Sequence, residues 1–169
     1  MIGPGSSSPS GSASPSALPP LSPSAPPSDA AASSACTKVL QALPVRLGSL
    51  APRVVHPDPP SPYVVAWGDP PVVLRCGVPR PAALAPGSSA PLTGVNGVFW
   101  LVHRGGSAVT WTAVDRAAYI EVSVPRSYRQ PPIAPLATAI AKALPRICLP
   151  QAAPGQSPPP ARSLCTHRK

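Results

Sequence analysis

The chain has 169 residues, among them 30 Pro and 12 Gly, which allows one domain of ordinary size with long irregular segments but excludes several domains. It carries 14 Lys+Arg against 5 Asp+Glu, a formal net charge of +9 at pH 7. The positive charges are spread along the chain, without the run of about 5–8 basic residues that is typical of a nucleic-acid patch. Nucleic acid is therefore not an expected partner, whereas anionic lipid head groups and wall polymers stay open as partners.

Composition divides the chain into three parts. Residues 1–35 are rich in Ser, Pro and Ala and cannot bury a core, which predicts a disordered leader or stalk. Residues 36–147 contain regular apolar patterns and are predicted to form a single domain. Residues 148–169 are predicted to form an irregular, Pro-rich basic tail. No stretch of about 18 apolar residues exists, so the sequence predicts no membrane span.

The patterns within the predicted domain indicate two helices and five strands. Apolar residues from Cys36 to Leu43 recur at helical spacing, with Ser33 or Ser34 as the cap and Pro44 at the end. A second amphipathic helix is predicted from Ile133 to Leu144. Strands are predicted at 63–66, 72–76, 98–104, 108–114 and 118–124. This order predicts an α+β fold, a small antiparallel sheet with an N-terminal and a C-terminal helix packed on one face.

Two details of the predicted sheet follow from local chemistry. The segment 98–104 is apolar on both faces, which favours a central strand. The pair Gly105-Gly106 directly after it is a hairpin signal, because glycine tolerates the positive φ of a two-residue turn.

Four cysteines occur without metal-ligand spacing. No two form a C-x-x-C pair, and the histidines complete no zinc pattern, so disulfides are favoured and no metal or other cofactor is expected. Cys36 lies on the apolar face of the first helix and Cys76 on the inward face of the second strand, so both point at the same core. They are predicted to form a disulfide, with two buried free thiols as the alternative. Cys148 and Cys165 could pair with each other, stay free or cross-link molecules.

Paired cysteines are typical of proteins in an oxidising compartment. The N-terminus, from Met1 to Gly5, nevertheless lacks the basic and apolar regions of a signal peptide. We therefore expect an extracytoplasmic protein, secreted or membrane-anchored, whose signal or anchor lies upstream of Met1. A cytosolic protein is the alternative.

No group of residues amounts to a catalytic signature, so no catalytic residue is assigned. The histidines, which lie in contexts without a recognised role, are His56, His103 and His167. The most distinctive stretch places Trp67, Asp69 and Arg75 on a turn and the strand after it. These three residues could form a recognition surface. Alternatively, an Asp–Arg pair stabilises the turn and Trp67 belongs to the core.

This stretch also carries a family resemblance. Trp67-Gly-Asp-Pro-Pro71, followed by Leu74-Arg-Cys-Gly-Val-Pro-Arg-Pro81, resembles the actinobacterial Domain of Unknown Function 3515 family. Further similar segments, which extend the resemblance over about residues 36–145, are Cys36…Ala42-Leu-Pro44, Asn96-Gly-Val98 with Trp100, and Arg116-Ala-Ala-Tyr119-Ile-Glu-Val122 with Val124-Pro125.

The resemblance implies a high-GC actinobacterial source and an exported or membrane-anchored protein with an apolar N-terminal segment, which this sequence lacks. Cys36 and Cys76 match the cysteines of the family, whereas Cys148 and Cys165 do not. The family has no established activity, so the resemblance supplies no catalytic residue.

Three functions are compatible with these observations. The favoured one is a non-enzymatic envelope protein, a tethered domain that binds or scaffolds another envelope component. The second is an uncharacterised envelope hydrolase, which would need a polar cleft around Asp69, Arg75 or His103. The third is a basic module that binds anionic polymers through its net charge of +9.

Overall fold

The computed structural model describes residues 18–85 and 89–147. Within them, seven strands form one antiparallel sheet in the order β1-β2-β3-β7-β6-β5-β4. The elements in chain order are α1 Ala30–Ala42, β1 Pro52–Arg53, β2 Val64–Trp67, β3 Val72–Cys76, a 3-10 turn Ala82–Leu84, β4 Leu92–Val95, β5 Val98–Gly105, β6 Ala108–Ala113, β7 Ile120–Pro125 and α2 Ile133–Ala143. The predicted α+β fold is confirmed.

Alternation along β3 and β7 defines the inner face of the sheet. Val72, Leu74 and Cys76 are fully buried, whereas Val73 and Arg75 face the opposite side, as predicted. Strand β7 repeats the pattern with its own buried apolar residues, Ile120, Val122 and Val124. Because β3 and β7 are neighbours in the sheet, these side chains form one continuous apolar surface.

Both helices contribute to the core that covers this surface. Cys36 and Val39 of α1 and Leu136 and Ile140 of α2 are completely buried, and they belong to one cluster with the inward residues of the sheet. The two helices also contact each other. Among the residues described, neither helix is long and apolar enough to cross a membrane.

The first helix begins six residues before the predicted apolar face. Its cap is Asp29, whose Oδ1 accepts a 2.7 Å hydrogen bond from the backbone N–H of Ala32. The predicted cap at Ser33 or Ser34 is wrong, because both serines lie inside the helix, where the Ser33 hydroxyl donates to the Asp29 carbonyl. Helical spacing does not reveal this cap, because the first turn contains only the small residues Ala30, Ala31 and Ala32 and no large apolar residue marks the helix start.

Residues 21–25, which the composition assigned to the leader, pair with residues 54–58, the segment that follows β1. The Leu21 N–H donates to the Val54 carbonyl at 3.0 Å, and the His56 N–H donates to the Leu21 carbonyl at 2.7 Å. Two more backbone hydrogen bonds join Pro23 and Ala25 to Asp58. This part of the leader region therefore lies alongside residues 54–58 as a strand-like segment.

Three features of the sheet differ from the predictions. Strands β1 and β4 were not predicted, because they are short and neither contains a buried residue that would mark an inward face. Strand β5 lies next to the edge strand β4, and Phe99 on its outer face is 38% exposed, so β5 is not covered on both faces. The hairpin turn after β5 is Gly106-Ser107, since Gly105 still pairs with Ala108.

Candidate functional site

The residues predicted as a recognition surface do not lie on one surface. Trp67 is 3% exposed and packs in the core, where its indole N–H donates a 3.1 Å hydrogen bond to the Val45 carbonyl. It pairs with Val72 across β2 and β3. Arg75 is three positions further along β3, so it points to the opposite face. This position fits the alternative interpretation, in which Trp67 belongs to the core.

Asp69 and Arg75 have separate partners. Asp69 lies in the exposed turn between β2 and β3, and its carboxylate is 3.6 Å from Nη1 of Arg53. Arg75 forms a salt bridge with Glu121 on β7 and donates from Nη1 to the hydroxyl of Ser24 at 2.6 Å. The turn therefore has an Asp–Arg pair, but Arg53 supplies the guanidinium. Arg75 instead holds the N-terminal segment against the outer face of the sheet.

The polar cleft required for a hydrolase around Asp69, Arg75 and His103 is not assembled. His103 lies on β5, which β7 and β6 separate from β3. Three strand spacings of about 4.8 Å place it at least about 14 Å from Arg75. Asp69 lies in the turn before β3, where its charged partner is Arg53 and not Arg75. Within residues 18–85 and 89–147, no group of His, Cys, Asp and Glu side chains could hold a metal ion.

Cys36 and Cys76 form the predicted disulfide, with a Cα–Cα distance of 5.6 Å. Both residues are completely buried, so the bond joins α1 to β3 inside the core. Cys148 and Cys165 lie outside the described residues.

The strongest candidate site is a cleft at the end of the sheet where β5 turns into β6. On one side it is formed by the inward side chains of three neighbouring strands, since Arg104 pairs with Val109 and Val109 pairs with Val124. On the other side it is formed by the connection from β7 to α2. Its volume is about 300 Å³. We call it the arginine cleft, after its three charged lining residues, Arg104, Arg126 and Arg129.

The three arginines of the cleft are exposed and carry no compensating charge. None of them makes an ion pair or a side-chain hydrogen bond with any residue in the described ranges. The whole chain has only five acidic residues, and none of them lines the cleft: Asp29, Asp58, Asp69, Asp115 and Glu121. Guanidinium groups stay protonated at all physiological pH values, so the cleft holds up to three positive charges.

Apolar and aromatic groups surround these charges. Val109 and Val124 form the sheet side, together with Trp111, which is 9% exposed. The Trp111 ring packs edge-on against Trp100, with centroids 6.4 Å apart. Both indole N–H groups are buried without a hydrogen-bond partner among the described residues. A ligand for this cleft would combine an anionic group with a compact apolar group.

Tyr128 lines the cleft between Arg126 and Arg129. Its hydroxyl donates a 2.7 Å hydrogen bond to the carbonyl of Pro70, in the turn between β2 and β3. Burial, and second the negative charge of Asp69, raise the pKa of Tyr128 above its ordinary value of 10.0. The phenol therefore stays neutral and remains a hydrogen-bond donor.

Sequence reasoning missed the cleft because its members are far apart along the chain. Arg126 and Arg129 flank a tyrosine directly after a predicted strand, and this spacing was a usable local signal. Arg104 precedes them by more than 20 residues and joins them only through the pairing of β5, β6 and β7. The larger open groove of about 470 Å³ beside His56 has prolines as half of its lining residues and contains no Lys, Arg, Asp or Glu side chain.

Comparison with protein families gives a match. The sequence model of a protein family, described as "Protein of unknown function (DUF3515)", matches residues 10–148, most of the chain. The match confirms the resemblance inferred from Trp67 to Pro81. Neither a curated protein nor a solved structure matches.

Proposed function

The chain belongs to the DUF3515 family, and from the chemistry of the arginine cleft we propose that it is a non-enzymatic domain that binds an anionic group of a cell-envelope component. The single observation that carries the proposal is three unpaired arginines around an apolar floor. Arginine pairs with phosphate and carboxylate through two parallel hydrogen bonds, which provides both charge and geometric selectivity.

The lining groups favour binding over proton transfer. Guanidinium groups donate hydrogen bonds but do not exchange protons near neutral pH. Tyr128 is protonated near neutral pH, and its raised pKa makes the phenol a weaker acid than an ordinary tyrosine. The apolar residues beside them shield the bound anion from water and strengthen its attraction to the arginines. Such an arrangement retains an anion rather than transforming it.

The proposed location is outside the cytosol. A disulfide that is buried between a helix and a strand supports this location, because structural disulfides persist in oxidising compartments. Residues 21–25 pair with residues 54–58, and Leu18 before them is 47% exposed, so a preceding Ser/Pro-rich segment could act as a tether. Cell fractionation tests the location: recovery of the oxidised, full-length chain in the cytosol would contradict it.

Calorimetry with phenyl phosphate tests the binding proposal, because this small probe combines an anion with an apolar ring. The test variant is Arg104→Gln/Arg126→Gln/Arg129→Gln. The matched control, Lys38→Gln/Arg80→Gln/Lys142→Gln, removes the same charge from exposed positions outside the cleft. We expect binding by the wild type and the control and none by the test variant, since each charged hydrogen bond contributes about 1.5–3 kcal/mol. Equal losses in both variants would contradict a specific cleft.

The source of the anion is tested with two larger ligands. Phosphatidylglycerol vesicles present the phosphate at a lipid surface, and soluble poly(glycerol phosphate) presents it along a polymer. The ligand whose binding is lost in the test variant and retained in the control identifies the source. If binding depends less on the cleft arginines than on total charge, the protein binds by diffuse electrostatic attraction. Salt would then abolish the binding of both ligands.

A further inference from the structure

We propose that the turn from Gly68 to Pro71 is a positioning element of the arginine cleft: it fixes Tyr128 and thereby the guanidinium groups of Arg126 and Arg129. This inference rests on the proposed function and assigns a role to the most distinctive stretch of the sequence, which does not itself contact the cleft.

The first step is the contact between the two loops. Tyr128 and Pro70 are 58 positions apart, and the phenol hydroxyl reaches the Pro70 carbonyl at 2.7 Å. The connection from β7 to α2 is otherwise held by backbone hydrogen bonds near its start, from the N–H of Arg126 to Ser107 and from the N–H of Tyr128 to Pro125. The side chain of Tyr128 thus ties the middle of this connection to a different part of the fold.

The second step is the shape of the turn at Gly68. Its φ of +77° is a conformation that side chains other than glycine rarely adopt. A Cβ there would lie 2.8 Å from the hydroxyl oxygen of Tyr128 and 3.1 Å from a methyl carbon of Leu50. Glycine is therefore required both for the turn and for the close passage of the tyrosine.

The third step is the rigidity of the turn itself. Trp67 at its start is buried and hydrogen-bonded, and it pairs with Val72 at its end. The buried side chain of Arg53 supports the turn as well, with Nη1 2.8 Å from the Gly68 carbonyl oxygen and 3.6 Å from the Asp69 carboxylate. A turn held at both ends and by Arg53 offers a fixed acceptor to Tyr128.

The fourth step concerns the two arginines beside Tyr128. Arg126 is two residues before it and Arg129 is one residue after it, and both side chains are exposed without partners among the described residues. Their positions relative to Arg104 consequently depend on where the backbone of this connection is held. Holding it before the ligand arrives lowers the entropy cost of binding.

Two variants test the tether. Tyr128→Phe removes the hydroxyl and keeps the ring, and Gly68→Ala introduces the clash with that hydroxyl. The control for Gly68→Ala is Gly48→Ala: Gly48 has a φ of +61°, but a Cβ there meets no atom within 4 Å. The control therefore reproduces the backbone strain without displacing Tyr128.

Two measurements are made on the full-length protein at a temperature where every variant is folded. Calorimetry with phenyl phosphate is expected to show binding about tenfold weaker for Tyr128→Phe and Gly68→Ala and unchanged for Gly48→Ala, the fold-change of one lost neutral hydrogen bond. Backbone amide relaxation by NMR at residues 126–130 is expected to show lower order in the first two variants only.

The outcomes separate this inference from the proposed function. If the cleft arginines are needed for binding but Tyr128→Phe binds like the wild type, the inference is wrong and the proposed function stands. If the relaxation of residues 126–130 is unchanged in Tyr128→Phe, the tether is excluded whether or not phenyl phosphate binds. If relaxation changes but neither the wild type nor any variant binds the probe, the tether exists and the anion-binding function fails.

Discussion

The carboxylate of Asp115 and the guanidinium of Arg116 form an ion pair of 2.7 Å, and both side chains are at least 97% buried. Asp115 also accepts a hydrogen bond from the backbone N–H of Phe99, and Arg116 donates to the carbonyl of Gly97. These contacts join the connection between β6 and β7 to the turn between β4 and β5. Arg146, which follows α2, lies 3.3 Å from the same carboxylate, so three parts of the chain meet at Asp115.

Asp115→Ala should be strongly destabilising. The substitution leaves the buried Arg116 without its counter-charge, which typically costs about 3–5 kcal/mol in the free energy of unfolding. Urea unfolding of the wild type and the variant measures the loss. The control is Asp58→Ala, at an exposed carboxylate, with an expected change within about 0.5 kcal/mol. A loss at Asp115 as small as that at Asp58 would show that the pair does not hold these loops together.

Removing the disulfide should lower stability mainly through the unfolded state. Cys36 and Cys76 are 40 positions apart, and closing a loop of that length stabilises a protein by about 4 kcal/mol in the chain-entropy model. The comparison is Cys36→Ala/Cys76→Ala against its parent, both carrying Cys148→Ser and Cys165→Ser. Thermal unfolding with and without reductant measures the effect. If the reductant did not change the melting temperature of the parent, the prediction would be contradicted.

Tyr128 should make stability depend on pH in the alkaline range. Its pKa in the folded state is raised by burial and by Asp69, so the unfolded chain loses this proton first, near the ordinary value of 10.0. Below pH 10.0 the contribution of Tyr128 to the free energy of unfolding is constant. As the pH rises above 10.0, the free energy of unfolding decreases. Urea unfolding between about pH 9 and pH 11, with Tyr128→Phe as the control, measures the difference.

The same tyrosine should respond to a change at Asp69. Asp69→Asn removes the smaller of the two causes, so the pKa of Tyr128 should decrease but remain above the ordinary value because burial persists. The ¹³Cζ chemical shift of Tyr128 followed through its titration reports this pKa. A Tyr128 that titrates like a free tyrosine in the wild type would rule out the proposed surroundings of the phenol.

Asp29→Ala should destabilise the first helix by about 1 kcal/mol, because it removes the acceptor for the Ala32 N–H. Ser34→Ala is the matched control, since Ser34 is exposed inside the helix and alanine is a better helix former there. Urea unfolding distinguishes the two caps. If the free energy of unfolding decreases more in Ser34→Ala than in Asp29→Ala, the helix begins where the apolar spacing predicted.

Local patterns were sufficient for the elements with clear periodicity. In these elements the spacing of apolar residues along the chain shows directly which side meets the core. Examples are the alternation in Val72–Cys76 and Ile120–Pro125 and the helical spacing before Leu144. The same reasoning placed Cys36 and Cys76 in one core, because each cysteine lies on the apolar side of its own element.

The sequence by itself thus determined the class of fold, its disulfide and its family, whereas only the tertiary structure decided the site. Arg104, Arg126 and Arg129 meet because β6 lies between β5 and β7, and Tyr128 reaches Pro70 because the turn after β2 lies at the same end of the sheet. Strand order and register come from contacts between distant segments, for which local periodicity carries no information. Trp67 and Arg75 were grouped for this reason, although the pairing of β2 with β3 sends them to opposite faces.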